Sequence, residues 1–269
     1  MWKRTRLKAL VKSLLQRHVK MFKVKATDGK VLRDILSAAY VIVDEATFQL
    51  TPDGLRLRSL DPSRVAMIDL VLPKQAFDEY ECTEPTKLCV SLEQLLKLLK
   101  RVGKNEAVEL ALREEKLAVM ITGKYVRSFT IPTLQPAEEE PPAINPQFTA
   151  KAVVVSDGLR QAIEDAELTG GLATFRANGE KLTLRTTGEL SSAEIEFGKG
   201  SDMLISLETA QPAEATFSLE LLTGMIRAAS TVAATATLEL ATNMPLKAVF
   251  QQANGAGLTF FLAPRIEPV

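Results

Sequence analysis

Apolar and polar residues alternate singly along Phe22-Lys23-Val24-Lys25-Ala26, the period of a strand with one buried face. Asp28 then precedes Leu32, Ile35, Leu36, Ala39 and Ile42, whose spacing predicts a capped helix running to about Val43. Strands follow at residues 46–51, 54–60 and 65–72, with a turn at Pro52-Asp53-Gly54. The order then recurs: a strand at 87–90, a helix at 91–102, and strands near 107–112, 117–122 and 125–131.

Periodicity stops between residues 133 and 146. Pro132, Pro136, Pro141, Pro142 and Pro146 surround Glu138-Glu139-Glu140 there, a composition that reads as an extended linker. Beyond it the first half returns. Phe148 takes the place of Phe22, and Ser156-Asp157-Gly158 opens a helix as Asp28-Gly29 does. Ala46-Thr47-Phe48 comes back as Ala173-Thr174-Phe175, displaced by 127 residues. A helical segment at 221–229 answers the one at 95–102. Both halves end on a strand that runs into proline, Ile131-Pro132 and Ala263-Pro264. The economical reading is an α+β chain with a duplicated domain of paired β-α-β-β-β units. The boundaries it sets are 1–20, 21–132, a linker at 133–146, and 147–269.

Charge sharpens this picture. The formal net charge is zero, yet residues 1–20 hold seven of the 33 Lys and Arg and no acid. That leaves 26 bases against 33 acids in the rest, so contact with nucleic acid requires a local basic surface rather than a general field. Such a surface is offered by the helix at 91–102. Leu92, Leu95, Leu99 and Val102 line one side, while Lys97, Lys100, Arg101 and Lys104 share the other, with Gly103 as the expected terminator. Glu93 is the one acid near this row, so the like charges stand unpaired, an arrangement that a polyanion relieves. The other helices present Lys30, Arg33, Asp34, Ser37 and Tyr40; Arg160, Gln161, Glu164 and Glu167; and Glu220, Thr223, Gly224, Arg227 and Ser230.

Two cysteines, Cys82 and Cys89, and one histidine, His18, are too few for a zinc site, and no cofactor is implied. The cysteines flank a Thr-Glu-Pro turn and read as reduced thiols. His18 reads as a solvated side chain. No apolar run is long enough to span a bilayer and no secretory signal opens the chain, so an intracellular setting is expected.

Leu60-Asp61-Pro62-Ser63-Arg64-Val65 resembles the signature turn of the proliferating cell nuclear antigen family, the archaeal and eukaryotic sliding clamps. Leu262-Ala263-Pro264-Arg265-Ile266-Glu267 is similar to that family's C-terminal tail, and Arg127-Ser128-Phe129 followed by Ile131-Pro132 to its subunit-interface strand. The resemblance covers about residues 21–269. It implies two similar domains per chain and three chains closing a six-domain ring, sheets outside and helices lining the hole. It further implies double-stranded DNA bound without regard to sequence, through phosphate contacts from Arg33, Lys97, Lys100, Arg101, Lys104, Arg160 and Arg227. Partner enzymes would insert a Gln-x-x-aliphatic-x-x-aromatic-aromatic segment into an apolar pocket beneath the linker. The matching positions are Leu60, Arg64, Val65, Met67, Leu134, Ile144, Pro245, Phe261, Ala263, Pro264 and Arg265. Chains would join through Lys124, Arg127 and Phe129 on one edge and Glu194, Ile195 and Glu196 on the other, the opposite charges favouring head-to-tail assembly.

The partners implied are DNA polymerase, the clamp loader, flap endonuclease and DNA ligase, with further copies of this chain or related subunits completing the ring. Residues 1–20 are an addition to the family pattern. They read as an over-extended start, the alternative being an amphipathic helix with its own role. Glu164, Asp165 and Glu167 make the third helix net acidic, which puts in doubt a full contribution of the second domain to DNA contact. An enzyme would need a phosphate-cradling glycine loop, a metal cluster or converging acid, base and nucleophile, and the sequence offers none. The competing readings are a checkpoint-type clamp and a peptide-binding scaffold that does not encircle DNA.

Overall fold

The computed structural model describes residues 22–113, 115–137 and 140–266. The basic segment 1–20 with His18, together with Glu138, Glu139 and Glu267, lies outside the described residues.

The first half runs β1 (Phe22–Ala26), α1 (Gly29–Tyr40), β2 (Glu45–Thr51), β3 (Gly54–Leu60), β4 (Ala66–Pro73), β5 (Glu79–Cys82), β6 (Thr86–Ser91), α2 (Leu92–Leu99), β7 (Ala107–Arg113), β8 (Lys116–Thr122) and β9 (Val126–Pro132). The second half repeats the order: β10 (Ala150–Val155), α3 (Ser156–Glu167), β11 (Leu172–Ala177), β12 (Lys181–Thr187), β13 (Ser192–Gly198), β14 (Leu204–Thr209), β15 (Ala213–Ser218), α4 (Leu219–Ala229), β16 (Thr235–Leu240), β17 (Leu246–Gln251) and β18 (Gly257–Leu262).

Each half therefore holds its two β-α-β-β-β units and one further strand between them, β5 or β14. β5 escapes the sequence pattern because it is four residues of an edge, with Glu79 and Glu81 alternating outward. The linker enters β10 two residues after Phe148, so Phe148 does not replace Phe22. Ala150 does: it faces Leu240 as Phe22 faces Leu112. The helices are shorter than their apolar periodicity suggests. α1 stops at Tyr40 and α2 at Leu99, so Lys100 caps α2 and Gly103 lies beyond it.

The strands form three antiparallel sheets. One has the order β5-β1-β7-β8-β9, one β13-β12-β11-β15, and the largest β14-β10-β16-β17-β18-β4-β3-β2-β6. The nine-stranded sheet is one five-strand set and one four-strand set fused at β18–β4, so it crosses the domain boundary without a break. The four helices pack side by side in the order α2-α1-α4-α3. Their apolar stripes, Leu32, Ile35, Leu36 and Ala39 on α1 and Leu159, Ala162, Ile163 and Ala166 on α3, are buried in a core continuous through both halves. At Gly224 on α4 an added Cβ would stand 3.1 Å from Val41, the turn that ends α1. A side chain there would require Val41 to give way by a few tenths of an ångström.

Candidate functional site

The polar side of the helix layer carries most of the basic residues singled out above, in unequal surroundings. α1, α2 and the turn to Lys104 hold six bases against two acids; α3 and α4 hold two against five. Lys100, Arg101 and Lys104 are exposed, and none of the described ion pairs involves them. The others have partners. Lys97, expected to be unpaired, contacts Glu93 one turn earlier at 2.7 Å, and Arg33 bonds Asp34 at 2.8 Å. Arg160 bridges Asp157 and Glu164, each at 2.6 Å, and Arg227 reaches across from α4 to Glu164 and Glu167, each at 3.1 Å. Arg227 thus braces α4 against α3, Arg160 pairs within α3, and both charges are answered locally. Only a fold could reveal this, since Arg227 and Glu164 are 63 residues apart.

The second group centres on the turn between β3 and β4. Asp61 accepts backbone hydrogen bonds from Ser63 at 3.0 Å, Val65 at 2.7 Å and Ala66 at 2.6 Å. Arg64 adopts the left-handed conformation there, with φ of 59°. Asp61 was absent from the expected site, although an Asp before a Pro is a known turn-builder. The turn is locked to the C-terminal tail, where the Ala263 amide donates to the Val65 carbonyl at 2.8 Å. Cross-strand register places Leu60, Met67 and Phe261 in one row over β3, β4 and β18. Pro245 adjoins Leu246, which faces Leu262 in the next row. The tail then turns away, and the Arg265 amide donates to the Thr216 carbonyl on β15 at 2.7 Å, with Pro264 half-buried before it.

The linker crosses this face of the nine-stranded sheet. Ala137 bonds Thr47 on β2, Glu140 contacts Gln49 on β2 and Arg58 on β3, and the Phe148 ring lies 5.8 Å beneath the Lys247 ammonium on β17. A chain travelling from β3 to β17 must pass over β4 and β18, and Met67 and Phe261 are 3% and 8% exposed although they face away from the main core. Between linker and sheet lies a groove of about 340 Å³ lined by Leu60, Asp61, Arg64, Arg58, Glu140 and Pro141 among others. It is more polar than the expected apolar pocket. Leu134 does not join it: it pairs with Cys89 on β6, the far edge of the sheet. Ile144 is exposed.

The third group lies on two sheet edges, β9 and β13. Lys124 is exposed in the turn before β9, while Phe129 and Ile195 point inward and pack against the core. Arg127 and the β13 acids, expected to attract one another between chains, each have a partner within the chain. Arg127 points inward and pairs with Glu106 of its own chain, whereas Glu194 and Glu196 point outward and pair with Arg185 and Lys181 on β12. Alternation along a strand puts the two sets on opposite faces. Cys82 and Cys89 are free thiols on different sheets, β5 and β6. No cluster of three metal-ligating side chains occurs among the described residues, and no described helix is long and apolar enough to cross a membrane.

The family model described as "Proliferating cell nuclear antigen, N-terminal domain" matches residues 21–126, and its C-terminal counterpart matches residues 169–265. Among curated relatives, DNA polymerase sliding clamp 1 of Pyrobaculum aerophilum is 33% identical over 240 residues, which is 89% of this chain and 96% of its own. The DNA polymerase sliding clamp of Methanothermobacter thermautotrophicus is 34% identical over 248 residues, covering 92% and 99%. Among solved structures, PCNA from Thermococcus kodakaraensis superposes with a TM-score of 0.86 at 25% identity, over 91% of this chain and all of that one. A PCNA2–PCNA3 complex from Sulfolobus tokodaii gives a TM-score of 0.85 at 31% identity, over 90% and 99%.

Proposed function

This chain belongs to the proliferating cell nuclear antigen family, and we propose on that premise that three such chains close a ring around duplex DNA and tether DNA polymerase to it. One observation carries the reading: each chain contains one complete joint and the two halves of another. The row Val24–Leu110–Val119–Phe129 in the first half corresponds to Ala152–Leu238–Ala248–Phe260 in the second. Leu50–Leu55–Leu72 likewise corresponds to Ala177–Leu182–Phe197. β9 is thus the copy of β18, and β13 the copy of β4. β18 and β4 pair within the chain, whereas β9 and β13 are left as open edges. An open edge of this kind is satisfied by pairing, and head-to-tail pairing of β9 with the next chain's β13 repeats the internal joint.

Copying the internal register puts Phe129 opposite Ala193, Arg127 opposite Ile195 and, on the outer face, Ser128 opposite Glu194. Tyr125 and Val126 at the start of β9 are exposed apolar residues, as expected of a surface awaiting a partner. The helix layer is the side turned to DNA, with contact falling chiefly to Lys100, Arg101 and Lys104. Peptide segments of polymerase, clamp loader, flap endonuclease or ligase would dock at the Leu60–Met67–Phe261 row and the linker groove.

Loading the chain onto nicked circular DNA with a clamp loader, then linearising the circle, tests the proposal. A ring runs off the linear form. Retention set by affinity alone would identify an ordinary DNA binder, and failure to load would favour a peptide scaffold. A purified chain that is monomeric alone and trimeric only with related subunits would make the ring a mixed one.

A further inference from the structure

Glu106 ties together three elements that the proposed function keeps apart. Its carboxylate accepts the Gly103 amide at 2.7 Å, in the turn that carries Lys100, Arg101 and Lys104. The same oxygen binds the Arg127 guanidinium, and Arg127 also donates to the Arg101 carbonyl at 2.9 Å. Its own carbonyl accepts the Gly29 amide at 3.1 Å, at the first residue of α1. Both members of the ion pair have side chains 17% exposed. The carboxylate sits close over Gly123, in the turn before β9, where an added Cβ would lie 2.4 Å from it. Asn105 beside it takes a left-handed φ of 62°, a conformation asparagine adopts readily, and this turns the chain between Lys104 and Glu106.

Arg127 occupies the β9 position that Leu258 occupies on β18, where Leu258 meets Leu70 across the internal joint. A leucine would serve the joint as well. The arginine adds a hold on the basic turn that a leucine lacks. We propose that Glu106, with Arg127, is a positioning residue: it fixes the turn at 100–104 to the subunit-edge strand β9, so that the exposed cations are presented to the duplex only while that strand is in place. This rests on the reading of the turn as DNA-facing.

Three variants test it: Lys100→Ala with Arg101→Ala, Glu106→Ala with Arg127→Leu, and Glu106→Gln. Each is assayed by fluorescence anisotropy on a short blunt duplex across a potassium chloride series, by sedimentation, and by amide exchange at Gly103. The first variant should flatten the dependence of log affinity on log salt by about two units. The second leaves net charge unchanged and replaces the half-buried pair with apolar residues. It should stay assembled, release the Gly103 amide to faster exchange and flatten the slope by about one unit. Glu106→Gln keeps an acceptor for Gly103 and should keep the wild-type slope. A wild-type slope in the assembled second variant would overturn the proposal, as would a Glu106→Gln protein as impaired as the second. A wild-type slope in the first variant would overturn the DNA-facing reading, and the positioning role with it.

Discussion

Phe261 and Met67 face each other directly across β18 and β4, the strand pair that joins the two halves of the chain. Both are buried on the sheet surface that the linker crosses, away from the main core. An aromatic wall and a pliant thioether side by side suit an apolar anchor from a partner peptide. The joint between domains and the proposed docking row therefore draw on the same two strands.

Phe261→Ala should weaken binding of a Gln-x-x-aliphatic-x-x-aromatic-aromatic peptide by about 2 kcal/mol or more, the scale of a buried aromatic anchor. Titration calorimetry gives the answer. An affinity equal to wild type would move the pocket elsewhere.

Asp61→Ala removes the acceptor for three backbone amides of the β3–β4 turn. Amides left without an acceptor cost about 1–3 kcal/mol each where water cannot replace it. The variant should unfold at lower denaturant and lose peptide binding together, because the turn also holds Ala263. Loss of one without the other would separate the turn from the site.

Arg160→Gln with Arg227→Gln should leave the salt dependence of DNA affinity near wild type, since both charges are answered by α3 carboxylates, while lowering the melting temperature. A slope flattened by about two units would return both arginines to the DNA face. The brace also has a pH signature. Glu164 is held below the usual carboxylate range, chiefly by the hydrogen bond from Arg227 and further by Arg160. A depressed carboxylate stabilises the fold above its unfolded value, about 4.3, and that contribution fades as pH falls through the lower folded value. The melting-temperature gap between wild type and Glu164→Gln should therefore be widest near neutrality and close in acid. A gap independent of pH would mean that the ion pairs contribute nothing.

The register across β9 and β13 can be read by cross-linking. Ser128→Cys with Glu194→Cys should form disulfide-linked oligomers under mild oxidation, because directly opposite Cβ atoms lie about 4.5–5.5 Å apart. Ser128→Cys with Glu196→Cys, one step out of register on the same face, should not. The reverse result would show that the external joint has slipped by two residues from its internal template.

The duplication, the helices and most strands are legible in the sequence because apolar periodicity is a local signal, and α1 and α3 carry the same stripe. β5 and the true counterpart of Phe22 are not, since a four-residue edge with outward glutamates has little period, and Ala150 matches Phe22 in register rather than in kind. The candidate sites divide along the same line. Arg33, Lys97, Arg160 and Arg227 stand out in sequence as bases on helix faces. The acid partners of Arg227 emerge only once α3 and α4 lie side by side, whereas those of Arg33, Lys97 and Arg160 are neighbours along the chain whose pairing shows once the rotamers are set. Asp61 and Glu106 are missed for a related reason: each acts by accepting backbone amides, and a carboxylate's acceptors are set by the turn around it. Leu134 is misplaced because position in a linker does not tell which strand the linker meets.

The continuity of nine strands through the domain boundary has a consequence in terms of mass action. The proposed external joint copies the internal one, yet the partners of the internal one are held by a covalent tether at an effective concentration in the millimolar range. The external joint forms at the concentration of the free chain and bears the full loss of translational freedom. Dilution should therefore part the assembly between chains while leaving every domain boundary closed, and a protein that opens the ring has one kind of door to use.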